Sequence, residues 1–269
     1  MGDSVGKMTR MKAMILAAGR GERMRPLTDT TPKPLLKAGG TSLIVWHLLR
    51  LERAGFTQII INHAWLGAMV EAVLGVDAPK SLGITYSPEG VALETAGGIA
   101  NALPLITSGA EGDAPFLVVN GDIWCEFDFS RATTIAQQMA ACNALAHLVM
   151  VPNPPQHPAG DFALGAGRIS NAPGANDLGP NNAGTDGRTH KPTPAFTFSG
   201  IGVYRPALFN NLTRGSKAKL APLLRTAITT HQVSGELFTG RWEDIGTPER
   251  LAALDAELEA HFARNTITT

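Results

Sequence analysis

Between Leu16 and Leu35 the chain carries glycines and cations at a spacing suited to polyphosphate. The string is Leu16-Ala17-Ala18-Gly19-Arg20-Gly21-Glu22-Arg23-Met24-Arg25-Pro26-Leu27-Thr28, followed by Lys33-Pro34-Leu35. Gly19 and Gly21 have no Cβ, so the backbone can come close to an anion. Exposed backbone N–H groups, with Arg23 and Lys33, would surround phosphates with donors and positive charge. Arg20 and Arg25 flank that pair. The chemistry this suits is binding and cleavage of a nucleoside triphosphate. The loop is neither common glycine fingerprint. Met24 stands where GxGxxG needs its third glycine, and no Gly-Lys-Ser/Thr follows as in Walker A.

A second group with chemical potential is Asn120-Gly121-Asp122, directly after the apolar run Phe116-Leu117-Val118-Val119. A carboxylate at that place can hold a metal ion, and magnesium favours one or two carboxylates completed by phosphate oxygens and water. An aspartate after a strand can equally satisfy its own turn. Farther on, Glu243 and Asp244 are adjacent, and strand alternation sends them to opposite faces.

The elements that must position these groups are legible as alternating strands and helices. Ala13–Ala18, Gln58–Asn62, Ile84–Ser87 and Pro115–Asn120 read as strands. Ser42–Ala54, Trp65–Leu74 and Thr95–Leu103 read as helices between them, with Ser42 as an N-cap and Gly55 as a stop. Such alternation implies βαβ units and a largely parallel sheet, with ligands beyond the carboxyl ends of the strands. Asp128–Cys142 reads as a helix and Ala144–Val151 as a strand. Phe196–Tyr204 reads as a strand, Leu220–Thr230 as a helix, and Glu236–Gly240 and Arg241–Ile245 as short strands. Thr247 and Pro248 open a last helix with Leu251, Leu254, Leu258 and Phe262 as its apolar stripe. Asn171–Ala195 is rich in Asn, Gly, Pro, Thr and Asp, and is expected to be a flexible insertion. Residues 1–10 are expected to be a loose leader, with Met8 and Met11 as other possible starts.

The chain has 269 residues, 44 % of them hydrophobic, and a formal net charge of zero. That gives no reason to expect a nucleic-acid surface or a polybasic membrane patch. Two cysteines, Cys125 and Cys142, are too few for a disulfide framework and lack metal spacing. No apolar run reaches the ~18 residues of a membrane span, and the first ten residues do not read as a signal peptide. A cytoplasmic location is expected.

Taken together, GxGxRMRPLT…KPL is similar to the signature of the sugar-1-phosphate nucleotidyltransferases. Leu93-Glu94-Thr95-Ala96-Gly97-Gly98, Asn120-Gly121-Asp122, Phe198-Ser199-Gly200-Ile201-Gly202-Val203-Tyr204 and Trp242-Glu243-Asp244-Ile245-Gly246-Thr247 resemble further segments of that family. The resemblance spans nearly the whole chain. It implies an α/β fold: a three-layer sandwich on a mixed, mostly parallel central sheet, Rossmann-like in the manner of GT-A enzymes. It implies one nucleotidyltransferase domain over 11–269, with the insertion at 171–195. Within the family, the strings from Ile61 to Gly67, Tyr86 to Gly90 and Leu93 to Ile99 resemble the branch that uridylylates N-acetylmuramate α-1-phosphate.

The reaction this resemblance implies is transfer of UMP from UTP to the sugar phosphate, with release of pyrophosphate. Mg2+ would be held by Asp122 and Asp244, and Arg23 and Lys33 would hold the β- and γ-phosphates. Leu16, Ala17, Ala18, Gly19, Gly21, Glu89, Thr95 and Gly97 would form the nucleotide site. Asn120, Trp124, Lys191 and Gly200 would form the sugar site, although Trp124 also suits plain core packing. Thr189-His190-Lys191-Pro192 keeps only the Lys-Pro of the family's Glu-Lys-Pro. Arg168, Lys217, Lys219 and Arg225 are candidates to meet the sugar's lactyl carboxylate, while His63 and Trp65 are expected to be structural. UTP and a sugar 1-phosphate are the expected partners, with no protein partner required. Two other readings share these motifs. One is another hexose-1-phosphate enzyme, such as a mannose-1-phosphate guanylyltransferase or a glucose-1-phosphate uridylyl- or thymidylyltransferase. The other is a catalytically silent nucleotide-sugar regulator.

Overall fold

The computed structural model describes residues 11–109, 112–171 and 194–266. The expected leader, the interior of the expected insertion and Lys191 lie outside these residues. In chain order the first elements are β1 (Ala13–Leu16), three single 3₁₀ turns, the short β2 (Lys37–Ala38) and β3 (Thr41–Ser42), and α1 (Leu43–Arg53). Then come β4 (Gln58–His63), α2 (Gly67–Asp77), β5 (Gly83–Pro88), α3 (Glu94–Thr107), β6 (Phe116–Asn120) and β7 (Ile123–Cys125). The second half has α4 (Arg131–Ala141), β8 (Ala146–Val151), β9 (Phe162–Gly165), β10 (Arg168–Asn171) and β11 (Ala195–Tyr204). It closes with α5 (Leu220–Thr229), β12 (Val233–Leu237), β13 (Trp242–Asp244) and α6 (Pro248–Thr266).

Among the described residues, nine strands form one sheet in the order β5-β4-β1-β6-β11-β8-β12-β10-β9. β5, β4, β1 and β6 run parallel, β11 enters antiparallel between β6 and β8, and β12 lies parallel to β8. The sheet is mixed, with its parallel run concentrated in the first half. The chain moves outward from β1 to β5 and then returns through α3 to β6 on the other side of β1. That reversal creates a crevice at the carboxyl ends of β1 and β6, where ligands bind in open α/β sheets.

Side-chain alternation along the strands builds the layers. Ala13 and Ile15 face a core with Ile44 and Leu48 of α1, Val70 of α2 and Ile135 of α4. Met14 faces the opposite core with Ile99 of α3 and Leu224 of α5. A third cluster joins Met24, Leu43 and Trp124 to Leu251, Leu254 and Leu258 of α6. Phe262, the last residue of the expected α6 stripe, is exposed rather than buried.

Three local expectations change. Ser42 occupies the N-cap position of α1, but its side chain makes no capping hydrogen bond, and the first helical N–H, that of Leu43, donates instead to Leu36 O at 2.9 Å. The buried Ser42 hydroxyl has no partner among the described residues. The helix expected from Asp128 starts at Arg131, since Asp128 Oδ1 accepts the Ser130 N–H at 3.0 Å and forms a turn. The strand expected at Glu236–Gly240 lies at Val233–Leu237, registered beside β8 from Val233↔Ala146 to Leu237↔Met150. Its Ser and Gly hide the pattern, yet Gly235 is needed there. A Cβ would sit 2.6 Å from the Ile169 side chain.

Candidate active site

The glycine loop hangs from β1, inside the parallel part of the sheet. Leu16 O accepts the Gly121 N–H at 2.8 Å, which joins the loop to the turn after β6. A Cβ on Gly121 would lie 2.7 Å from that oxygen, so the two segments meet as bare backbone. Gly21 adopts φ 68°, and a Cβ there would lie 3.1 Å from the Lys33 Cβ. The Thr28 hydroxyl donates to Gly21 O at 2.8 Å and closes the loop. The left-handed dihedral at 21 favours glycine, and the close approach of Lys33 and Thr28 adds to that preference. The stem of Lys33 is buried against Gly21, and Lys33 Nζ reaches Asp122 Oδ2 at 2.8 Å.

Around this ion pair lies a cleft of about 520 Å³, a size suited to a small-molecule site. Leu16, Ala17, Ala18, Gly19, Gly21, Arg23, Lys33, Glu89, Thr95, Asn120 and Asp122 line it, as the sequence leads one to expect. Thr95 sits inside the first turn of α3, whose N-cap is Leu93. Arg20 turns aside and stacks over Trp65 at 3.9 Å, while the Trp65 indole donates to Thr28 O at 3.1 Å. Arg25 pairs with Asp29 at 3.2 Å. His63 is buried and bonded to Glu71 at 2.7 Å, so His63 and Trp65 are structural.

Asp122 and Asp244 are distant in sequence, and a two-stranded ribbon brings their backbone segments side by side. β13 pairs antiparallel with β7 in the register Asp244↔Ile123, and the Ile245 N–H donates to Asp122 O at 3.0 Å. Asp244 Oδ2 accepts from Arg250 Nη1 at 2.7 Å, whereas Glu243 turns to Arg241. A Cβ on Gly246, which lines the cleft, would lie 3.0 Å from Asp244 Oδ2. Asp244, although expected at the site, does not itself line the cleft: its carboxylate lies behind Gly246 and pairs with Arg250. Asp122 at the cleft, with Asp244 behind Gly246, offers hard oxygen donors of the kind magnesium takes together with phosphate oxygens and water. Among the described residues no cluster of three or more His, Cys, Asp or Glu side chains could hold a metal without such help. The ribbon is anchored from behind by His47, whose Nε2 donates to Ile123 O at 2.9 Å. Burial pushes its pKa down to about 4, so it stays neutral.

Several expected residues are not at the cleft. Trp124 is only 3 % exposed and packs in the third core cluster, with the Arg50 and Arg241 guanidiniums 4.3 and 4.4 Å from its ring. Alternation in β7 turns it away from the side that faces the sheet core. Gly97 is buried within α3. A Cβ there would meet Ser216 O at 2.4 Å, so this glycine admits the 216–218 segment rather than a base. Gly200 lies behind Asn120 in a bulge of β11, at φ 83°, and a Cβ would sit 2.6 Å from Asn120 Nδ2. Of the four candidate cations, Arg168 donates to His231 O and Arg225 lies over Phe162. Lys217 and Lys219 flank Ala218, which exchanges two backbone bonds of 3.0 Å with Leu93 and Gly97 beside the cleft. Asn62, Glu22, Met24, Ala92, Glu94 and Gly246 also line the cleft, and sequence reasoning missed them. Asn62 stands in a string that resembles the family, but nothing in its type marks it as functional.

The profile of the nucleotidyl transferase family matches residues 12–168. The N-acetylmuramate alpha-1-phosphate uridylyltransferase of Neisseria meningitidis serogroup B is 51 % identical over 247 residues, 91 % of this chain and 97 % of that protein. The enzyme of the same name from Caulobacter vibrioides is 31 % identical, across 91 % of this chain and 96 % of its own. A mannose-1-phosphate guanyltransferase of Schizosaccharomyces pombe is 39 % identical over 45 % of this chain, but only 32 % of that protein. In fold, the chain is similar to a UDP-glucose pyrophosphorylase from Acinetobacter at a TM-score of 0.71, with 14 % identity, covering 96 % of this chain and 99 % of that one. A putative glucose-1-phosphate thymidylyltransferase of Bacillus anthracis superposes with a TM-score of 0.68 and 21 % identity, over 93 % and 96 % of the two chains. By the profile match over more than half its length and by these full-length relatives, the chain belongs to the nucleotidyl transferase family, as a sugar-1-phosphate nucleotidyltransferase.

Proposed function

We propose that this enzyme transfers UMP from UTP to N-acetylmuramate α-1-phosphate, giving UDP-N-acetylmuramate and pyrophosphate. The observation that carries the choice of substrates is the 51 % identity, over nearly the full length of both chains, to an enzyme of that name. The place in the cell would be the cytoplasm, in recycling of cell-wall sugar. Among the described residues no helix is long and apolar enough to cross a membrane.

An oxygen of the sugar phosphate attacks the α-phosphorus, and the bond to the oxygen bridging to the β-phosphorus breaks. The attacking group is already an anion, so alignment and charge are the obstacles, not proton removal. Arg23 and the amides of the Gly19–Gly21 loop bind the leaving pyrophosphate. Lys33, held in place by Gly21 and paired with Asp122, supplies a fixed positive charge at the same wall. Asp122 and Asp244 would hold Mg2+, which when bound neutralises phosphate charge and aligns the oxygens for in-line displacement. Asn120 sits on the sugar side, with its amide braced by the Gly200 bulge.

The test is pyrophosphate release with UTP, GTP and dTTP, each against N-acetylmuramate, N-acetylglucosamine, glucose and mannose 1-phosphates. The expected result is the highest kcat/KM with UTP and N-acetylmuramate 1-phosphate, about ten-fold or more above N-acetylglucosamine 1-phosphate, since each 1.4 kcal/mol is a factor of ten. A clear preference for GTP with mannose 1-phosphate would overturn the substrate assignment. No turnover with any pair would favour a silent regulator.

A further inference from the structure

Asn62 and Glu89 are polar, buried and placed in the cleft, yet the phosphate chemistry uses neither. They are 3 % and 6 % exposed. Asn62 Oδ1 accepts the Ala17 N–H at 2.9 Å, and Asn62 Nδ2 donates to Glu89 Oε1 at 2.7 Å. Glu89 Oε2 accepts the Leu93 N–H at 2.8 Å. The Glu89 backbone N–H donates to His63 O at 2.8 Å. One continuous run of hydrogen bonds thus joins the ends of β1, β4 and β5 to the start of α3. α3 presses on it directly. A Cβ on Gly98 would lie 2.7 Å from Glu89 Oε1 and 2.8 Å from Asn62 Nδ2.

Every orientation in this run is determined. Asn62 must turn its oxygen to Ala17 and its amide nitrogen to Glu89, because the Ala17 N–H can only donate and the carboxylate can only accept. The Ala17 N–H is therefore unavailable to a ligand, and the loop's amides at Ala18 and Gly19 are left to meet one. Each Glu89 oxygen has accepted one bond and retains capacity for another. Both side chains line the cleft beside the glycine loop and Thr95. A buried anion fixed in this way suits a base that presents an N–H, and it repels one that presents a bare ring nitrogen. Uracil offers N3–H between two carbonyls, whereas cytosine offers an unprotonated N3.

We propose that Asn62 and Glu89 form the base-selecting element of the site. Glu89 accepts the imide N–H of uracil, and Asn62 is the positioning residue that aims Glu89 and withdraws the Ala17 amide from the base. This rests on the uridylyltransferase reading. Charge and geometry can be separated by a swap. In Asn62→Asp the two carboxylates face each other. In Glu89→Gln the single amide oxygen must replace two carboxylate oxygens. In the double variant N62D/E89Q, the carboxylate at position 62 accepts from the Ala17 N–H and from the side-chain amide at position 89. The oxygen of that amide then accepts from the Leu93 N–H. All three bonds are rebuilt with one reversed, and the negative charge has moved from 89 to 62.

The readouts are thermal midpoint, KM for the sugar phosphate, and the ratio of kcat/KM for UTP over CTP. Asn62→Asp should lower the midpoint and raise the KM for UTP about ten-fold or more. The double variant should recover the midpoint and keep the KM for the sugar phosphate within about two-fold, while its UTP over CTP ratio stays about ten-fold or more below wild type. If the base ratio returns with the midpoint, the pair is only a structural brace and the proposal fails. The proposal also fails if Glu89→Gln keeps the wild-type ratio, a result that stands even if the double variant does not fold. Wild-type preference for GTP would instead defeat the uridylyltransferase reading itself.

Discussion

The two halves of the sheet contribute to the cleft in different ways. In the parallel half, β1, β4, β5 and β6 each end at the same edge, and the residues just beyond them form the walls. Position along the chain almost suffices to place Gly19, Glu89 and Asp122. In the antiparallel half, contributions arrive through irregularities. The register of β11 against β8 shifts between Phe198 and Ile201, and this bulge brings Gly200 up behind Asn120. Asp244 arrives through the separate β7–β13 ribbon. The side of the cleft that carries the glycine loop thus depends on short local segments, and the side proposed for sugar and metal on pairings between distant ones. Substitutions on the first side should remove chemistry and spare the fold, and those on the second should affect both.

The largest effect expected is at the junction of the two. Asp122→Asn should reduce kcat/KM by about three orders of magnitude, a loss of roughly 4 kcal/mol in the transition state. The circular dichroism spectrum and thermal midpoint should stay near wild type, because the Asp122 carboxylate is partly exposed and pairs with Lys33 at the cleft rather than with the core. Binding of Mn2+ followed by electron paramagnetic resonance should weaken in parallel. Lys33→Gln should cost about 10²-fold in kcat, the scale of one lost preorganised donor. Near-normal turnover in either variant would break the assignment of chemistry to the parallel half.

Acid should test both halves through one buried histidine in each. His47 of α1 and His147 of β8 are held neutral by burial, each with a pKa pushed down to about 4. Their folded pKa values lie below the unfolded value near 6.5, so protons bind the unfolded chain first. The stabilisation is complete above pH 6.5 and is lost as pH falls from 6.5 toward 4, up to about 3 kcal/mol for each group. Denaturant midpoints across that window should show it. His147→Leu should flatten the profile by about half if the two sites act independently.

Gly200→Ala forces a side chain into a φ of 83° and into Asn120. A cost of about 1–3 kcal/mol in stability is expected. KM for the sugar phosphate should rise while KM for UTP stays unchanged, and an equal rise in both would erase the proposed division. Trp124→Phe should have the smallest catalytic effect. It should cost about 1–2 kcal/mol by trimming a packed core and its cation–π contacts. KM for the sugar phosphate should not move, and a rise of about ten-fold would return Trp124 to the sugar site.

The choice of Asp244 over Glu243 comes only from the family resemblance, whereas the glycine loop, the strand-and-helix alternation of the first half and Asp122 are legible in the amino-acid string. They rest on short segments whose geometry is local: a glycine loop after a strand, a carboxylate after a strand, a period of two changing to 3.6. The bounds of strand β12 and the β9–β10 hairpin are not legible. Short strands containing Ser and Gly acquire their form from pairing with neighbours, as Gly235 does where it admits Ile169. Residue type alone also could not separate Trp124 from a sugar platform, or Gly97 from a base contact. Only packing shows that one lies between core side chains and guanidiniums, and that the other makes room for Ser216. Asn62 is the clearest case. An asparagine at a strand end carries no signal of its own. It matters here because the ends of other segments, at Ala17 and Glu89, converge on its two amide atoms, and such convergence exists only once the chain has folded.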